Sequence, residues 1–258
     1  MNDLVTLTNK LLEENGLSAK KSFGQNFLTN SQILDKIFES IDFENITNIV
    51  EIGPGLGFLT ERLIALEKKL TVIEADRDMV NILKNRFIGL DIIEGDCRKV
   101  DYNQFDKKTT LFIGNLPYNI TKDILEIFIN FPSPTQFSFM VQKEVGDKLK
   151  YKEGNKTNCA LGAFMALKGA FYSEVNVPRS SFTPAPKVES IFLNYKAINS
   201  VDIQNYKKLK QLFIHPNKTV QNNLKTLNIN FPEDYKNLLS LRPHQLKIND
   251  IDKLLTLI

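Results

Sequence analysis

The tetrapeptide Asn115-Leu116-Pro117-Tyr118 follows directly on the apolar run TLFIG and puts two hydrogen-bond acceptors beside an aromatic ring. The Asn115 side-chain oxygen is one acceptor, and the other is a backbone carbonyl, most naturally that of Leu116 held extended by the following proline. Each can take one hydrogen of an exocyclic adenine amine. That amine is a poor nucleophile because its lone pair is delocalised into the ring, and two acceptors draw the pair out of conjugation and leave it free to attack an electrophilic methyl group. Tyr118 can stack on the base and face the positive charge growing on nitrogen, a contribution on the order of 1 to 3 kcal/mol for base-aromatic stacking. No titratable base is required, because a methylated ammonium is acidic enough to lose its proton to water. The competing reading is a strand-ending turn in which Tyr118 fills the core.

A second group of residues lies upstream. The run NIVEIG leads into Gly53-Pro54-Gly55-Leu56-Gly57, where glycine lets the chain turn tightly and approach a ligand closely. The Gly-x-Gly-x-Gly spacing differs from the dinucleotide fingerprint, which argues against a bound pyrophosphate. Glu74 ends the next apolar run, 21 residues after Gly53, close to the separation expected for a carboxylate that accepts from both ribose hydroxyls. Asp76 and Asp78 compete for that role but read better as caps of the following helix. Asp96, in EGDC, can accept from an adenine amino group or cap a turn.

These residues need a scaffold that brings them to one edge. The apolar stretches 48–53, 70–76, 90–96 and 110–118 are bounded by turns and read as strands, with further strands at 135–142 and 189–195. Their continuous hydrophobicity suits parallel strands buried on both faces, and the intervening FLTERLIALEKK and RDMVNILKNRF have helical spacing. Alternating strand and helix predicts an α/β fold with a doubly wound, mostly parallel sheet. From about residue 203 the pattern turns helical, so residues 1–195 are expected to form the main domain and 196–258 a small C-terminal all-helical domain.

Composition narrows the classes further. Cys97 and Cys159 have no close partner, and His215 and His244 are too scattered for a zinc ligand set, so reduced thiols and no metal are expected. The opening MNDLVTLTNKLLEENG is unlike a signal peptide, and no apolar run approaches membrane-spanning length, so a cytoplasmic protein without membrane attachment is expected. Residues 191–258 carry ten basic and five acidic side chains against 23 and 25 in residues 1–190. This asymmetry suits a polyanionic partner for the tail, with Lys207, Lys208, Lys210 and Lys218 as candidate phosphate contacts.

The fixed order of glycine loop, Glu74, Asp96 and NLPY resembles the KsgA/RsmA family of small-subunit ribosomal RNA adenine dimethyltransferases. The resemblance spans most of the chain and rests on KKSFGQNFL at 20–28, VEIGPGLGFLT at 50–60, VIEADRD at 72–78, GNLPYNI at 114–120, VQKEV at 141–145 and FTPAPKVES at 182–190. It implies a Rossmann-like class I methyltransferase fold and S-adenosyl-L-methionine as cofactor. It further implies cofactor contacts from Asn26, Leu28, Gly53, Gly55, Glu74, Asp96 and Asn115, with the catalytic motif Asn115, Leu116, Pro117 and Tyr118. Tyr118 and Phe182 would flank the target adenine, which leaves its stack to reach the pocket. The implied reaction is dimethylation of the N6 amines of two adjacent adenosines in the 3′-terminal hairpin of 16S rRNA. The implied partners are that RNA and the 30S particle, whose biogenesis the enzyme would serve as a monomer.

Two segments depart from the family pattern. FIHPNKTVQNNLK replaces an arginine-rich run before the asparagines, and KTNCALG at 156–162 replaces YGRLS. Three rival readings follow from the same residues. An Erm-type enzyme acting on large-subunit RNA would share the motif, but FGQNF and FTPAPKV favour the small subunit. A binding protein without turnover would not need intact Glu74, Asn115 and Tyr118, and a dehydrogenase would need the dinucleotide glycine spacing.

Overall fold

The computed structural model describes residues 3–20 and 24–258, so Lys21, Ser22 and Phe23 of the KKSFGQNFL stretch lie outside the described residues. The chain divides into two compact units. The first runs to Lys143 and resumes over Phe171–Lys196, and the second comprises Glu144–Ala170 and Ala197–Ile258. The sequence boundary at 195/196 lies one residue from the last of these crossovers. Residues 144–170, counted with the main domain from sequence, group instead with the C-terminal helices.

The first unit is organised around parallel strands that read as continuous apolar runs. Strands β2 (Asn48–Ile52), β3 (Lys69–Glu74), β4 (Asp91–Glu94), β5 (Thr110–Asn115) and β6 (Thr135–Gln142) pair in parallel. With β7 (Gly169–Val177) and β9 (Ser190–Ala197) they form a seven-stranded sheet in the order β4-β3-β2-β5-β6-β9-β7. The order reverses at β2, so β3 and β5 lie on either side of it and the segments after these strands converge on one crevice. A separate two-stranded ribbon pairs β1 (Phe27–Leu28) with β8 (Phe182–Thr183), antiparallel. The family architecture expected from sequence, a doubly wound and mostly parallel sheet with flanking helices, is the observed one.

Local signals set the helix starts. Asn30 caps α2 (Ser31–Glu39) by accepting from the Ile33 N–H, and Asp76 caps α4 (Arg77–Arg86) by accepting from the Asp78 N–H, as the sequence suggested for this carboxylate. Helix α3 (Phe58–Ile64) starts instead on Gly57 in the left-handed region, where a side chain would run into the Phe87 ring. Helices α1 (Asp3–Glu14) and α5 (Thr121–Phe128) complete the unit. Strand β7 escaped the sequence reading because it alternates half-buried and exposed residues along an edge of the sheet and lacks the apolar run of a central strand.

Strand β5 has the firmest backing. Phe112 on it lies 5.1 to 6.0 Å, centroid to centroid, from Tyr102, Phe128, Phe131 and Phe137, a tilted and edge-on cluster. At its end, a Cβ on Gly114 would fall far inside van der Waals contact with the Ile52 carbonyl oxygen of β2.

The second unit comprises α6 (Lys143–Leu149, from Glu144 onward), α7 (Ala160–Lys168), α8 (Gln204–Leu212), α9 (Val220–Leu224), α10 (Lys236–Ser240) and α11 (Ile248–Leu255). The substituted segment at 156–162 is structural: Cys159 caps α7, and Gly162 lies so close to the Lys148 carbonyl that no side chain fits. Phe164 of α7 packs on Tyr206 of α8 at 5.6 Å. Among the described residues no helix is long and apolar enough to cross a membrane. Gly114→Ala should destabilise the protein by about 1 to 3 kcal/mol, the usual range for an overpacked interior, read as a lower urea midpoint with an unchanged slope.

Candidate active site

The ends of β2, β3 and β5 open onto a cavity of about 470 Å³ in the first unit. Asn26, Leu28, Gly53, Gly55, Glu74, Asp96, Asn115, Leu116, Pro117 and Tyr118 all line it. The sequence-predicted residues are thus brought together, with one exception. Phe182 does not line the cavity: it is 4% exposed, sits in β8 opposite Leu28, and packs into the core cluster. Met140 of β6 and Phe192 of β9 are among the apolar residues that line the cavity instead.

The Asn115 amide has a defined orientation. Its Nδ2 donates to the Asn26 carbonyl oxygen at 3.1 Å, and because a carbonyl can face only the amide's donor end, Oδ1 is left as the free acceptor. The Leu116 N–H donates to the Met140 carbonyl at 3.2 Å, and the Pro117 carbonyl accepts from Ile120 N–H and the Thr121 hydroxyl. Among the described residues neither Asn115 Oδ1 nor the Leu116 carbonyl takes a hydrogen bond, so both acceptors are available at the cavity wall. The Tyr118 hydroxyl lies 2.6 Å from Ser190 Oγ.

The glycine loop and Glu74 form one unit. Gly53 and Gly55 adopt φ of 65° and 56°, and a Cβ on Gly55 would press on the Phe27 ring at 3.2 Å. Glu74 Oε2 accepts from the Gly55 N–H at 3.1 Å and Oε1 from the Asp76 N–H at 2.9 Å. Burial pushes the Glu74 carboxyl above its ordinary pKa, and those N–H groups oppose the rise. Each oxygen keeps a further lone pair for a ligand hydroxyl. Asp96 is engaged: it caps a short 3-10 turn and grips the Arg98 guanidinium at 2.7 Å, which holds its carboxyl below the ordinary range.

Three features were missed from sequence. Lys20 and Gln25 both reach Asp76, at 2.7 Å each, tying the segment before β1 to the start of α4. Arg98 bridges Asp96 and Asp123, a pairing of residues 25 apart that no local pattern reveals. Glu51 of β2 lines the cavity at 2% exposure, accepts from the Thr60 hydroxyl at 2.7 Å, and is pushed up to about 8 by burial. A glutamate inside an apolar run was the available signal for it. Of the candidate phosphate contacts, Lys208 donates to the Leu255 carbonyl and Lys210 lies over the Tyr206 ring.

A crevice at the strand-order reversal, with a glycine loop after the first strand of the parallel set and a carboxylate ending the next, defines a Rossmann-like class I methyltransferase. The chain matches the family described as ribosomal RNA adenine dimethylase over residues 16–249. It is 36% identical over 257 aligned residues to the ribosomal RNA small subunit methyltransferase A of Prochlorococcus marinus (strain AS9601), covering 91% of this chain and 94% of that protein. The crystal structure of a dimethyladenosine transferase from Plasmodium falciparum superposes with a TM-score of 0.75 at 26% identity, over 88% of this chain and 95% of that one. The 23S rRNA methyltransferase ErmE shares the fold, with a TM-score of 0.67 at 19% identity over 90% of this chain and 100% of that one. The chain belongs to the ribosomal RNA adenine dimethylase family, whose members are S-adenosylmethionine-dependent adenine dimethyltransferases.

The buried Glu51 makes stability depend on pH. A carboxyl whose folded pKa, about 8, stands above its ordinary 4.5 keeps its proton in the folded state after the unfolded chain has released it. Stability therefore falls as pH rises from about 4.5 to about 8, by up to roughly 1.4 kcal/mol per pH unit. Glu51→Gln should flatten this fall, seen as a smaller loss of urea midpoint between pH 5 and pH 8 than in the parent.

Proposed function

We propose that this protein dimethylates the N6 amines of two adjacent adenosines in the 3′-terminal hairpin of small-subunit (16S) rRNA, using S-adenosyl-L-methionine, within the 30S particle and as part of its biogenesis. The observation that carries this reading is the pair of unengaged acceptors, Asn115 Oδ1 and the Leu116 carbonyl, at the wall of one cavity. The names of the relatives favour the small subunit over the large. A cytoplasmic, monomeric enzyme is the simplest form in keeping with this role.

The residues fit the cofactor. Gly53 and Gly55 form a cradle that a side chain would obstruct, and Glu74 offers lone pairs to ribose hydroxyls while already held by two backbone N–H groups. Asn26, Leu28 and Asp96 line the same cavity, and an adenine amino group would share the Asp96 carboxylate with Arg98. When bound, S-adenosylmethionine supplies an electrophilic methyl group on a sulfonium sulfur.

The chain's own contribution is to prepare the nucleophile. Asn115 and Leu116 each accept one amine hydrogen, which localises the nitrogen lone pair, and Tyr118 holds the flipped base by stacking. Phe182 is buried and does not line the cavity, so the stacking role falls to Tyr118. The second unit, with fourteen basic and eight acidic residues, is the docking surface for RNA, and Lys207 and Lys218 are its best candidates for phosphate contacts.

Methyl transfer should be measured on 30S particles, 50S particles and free rRNA, with the modified base mapped and its methyl groups counted by mass spectrometry. N6,N6-dimethyladenosine at adjacent positions in 30S particles supports the reading, and modification confined to 50S particles would replace it with the large-subunit alternative. Asn115→Ala should lower the single-turnover rate at least about 100-fold, the cost of one transition-state contact, with RNA affinity little changed.

A further inference from the structure

The Asn115-to-Tyr118 motif is held at several points, and all but one of its restraints act on the backbone or on Asn115. Leu116 N–H binds the Met140 carbonyl, Ile120 N–H binds the Pro117 carbonyl, and the Asn115 amide binds the Asn26 carbonyl. The far end of the Tyr118 side chain meets Ser190 Oγ at 2.6 Å. Ser190 is 1% exposed and opens β9, a strand enclosed between β6 and β7. Two residues on, Phe192 lines the same cavity as Tyr118.

We propose that Ser190 is a positioning residue for methyl transfer: its hydroxyl, delivered by an interior strand of the sheet, fixes the rotamer of the Tyr118 ring so that one face is presented to the target base. The inference rests on the reading of Tyr118 as the base-stacking residue.

The chemistry requires such a restraint. Tyr118 sits in the loop between β5 and α5, and a phenol ring on a loop turns about two side-chain torsions unless its tip is anchored. Stacking is sensitive to the tilt and offset of the ring, so a ring that samples several rotamers loses part of each encounter with the base. A strand enclosed on both sides is a rigid anchor, and a serine hydroxyl can donate to or accept from the phenol without needing any charge. Burial holds the phenol's pKa above its ordinary value, so it stays neutral and keeps its O–H through the working pH range.

A double-mutant cycle on single-turnover methylation at saturating cofactor tests the proposal. Ser190→Ala and Tyr118→Phe each delete the same hydrogen bond, and each should lower the rate by about 3- to 10-fold, the usual net worth of one neutral hydrogen bond. The double variant should lose no more than either single variant. Cofactor affinity by calorimetry should stay within about twofold of the parent, whereas a collapse of the site would lower affinity and rate together. Ser190→Thr, which keeps the hydroxyl, should recover most of the rate.

Parent-level rates in Ser190→Ala, or in Tyr118→Phe should Ser190→Ala not fold, overturn the proposal, as does a double variant whose loss is the product of the two. Tyr118→Ala separates it from the reading beneath it. A Tyr118→Ala enzyme at the parent rate refutes base stacking and the positioning role together. A large loss in Tyr118→Ala with none in Ser190→Ala refutes positioning alone.

Discussion

An amide side chain is ambiguous until something decides which end faces its partner, and the Asn26 carbonyl decides it for Asn115. The 3.1 Å bond from Nδ2 consumes the donor end and leaves the oxygen as an acceptor at the cavity wall. Much of the first unit bears on keeping these two atoms opposed. The aromatic cluster around Phe112 stiffens β5, and Gly114 lets that strand close on β2. On the other side, the Phe27 ring occupies the space a Gly55 side chain would need, and Gln25 and Lys20 are tied to Asp76. The glycine loop is thereby linked to the Asn115–Tyr118 motif through the segment that carries Asn26.

The same crevice concentrates buried carboxyls. Glu51 and Glu74 lie on adjacent strands where burial disfavours the charged form of both, and the Glu74 charge adds to the cost of ionising Glu51 as the Asp76 charge does for Glu74. Glu74 is compensated by two backbone N–H groups, a geometry that also sets the glycine loop. Glu51 has one hydroxyl partner in Thr60 and so bears more of the cost.

Legibility in the sequence followed burial on both faces. Strands β2, β3, β5 and β6 announced themselves by continuous apolar runs; β2 and β6 keep their expected bounds to within a residue, whereas β3 and β5 end two and three residues early, and Asp76 as a helix cap was readable from its place before RDMV. Strand β7 was not readable, because an edge strand alternates and its residues look like a loop. Grouping of 144–170 with the distant C-terminal helices depends on contacts such as Phe164 on Tyr206, which leave no local trace. At the site, the motif residues came from short contiguous stretches and could be named. Arg98 across Asp96 and Asp123, Ser190 beneath Tyr118, and the burial of Phe182 outside the cavity lining are products of tertiary packing and could not.

The orientation of the Asn115 amide can be observed without any activity. Protein labelled with ¹⁵N- and ¹³C-asparagine marks both partners at once, with Asn115→Asp identifying the relevant signals. A scalar coupling across the hydrogen bond from Asn115 Nδ2 to the Asn26 carbonyl carbon, with slowed exchange of one amide proton, is the predicted result. An Asn115 side-chain amide with no such coupling, both of whose protons exchange at solvent rates, would show the donor end turned toward the cavity and would contradict the account.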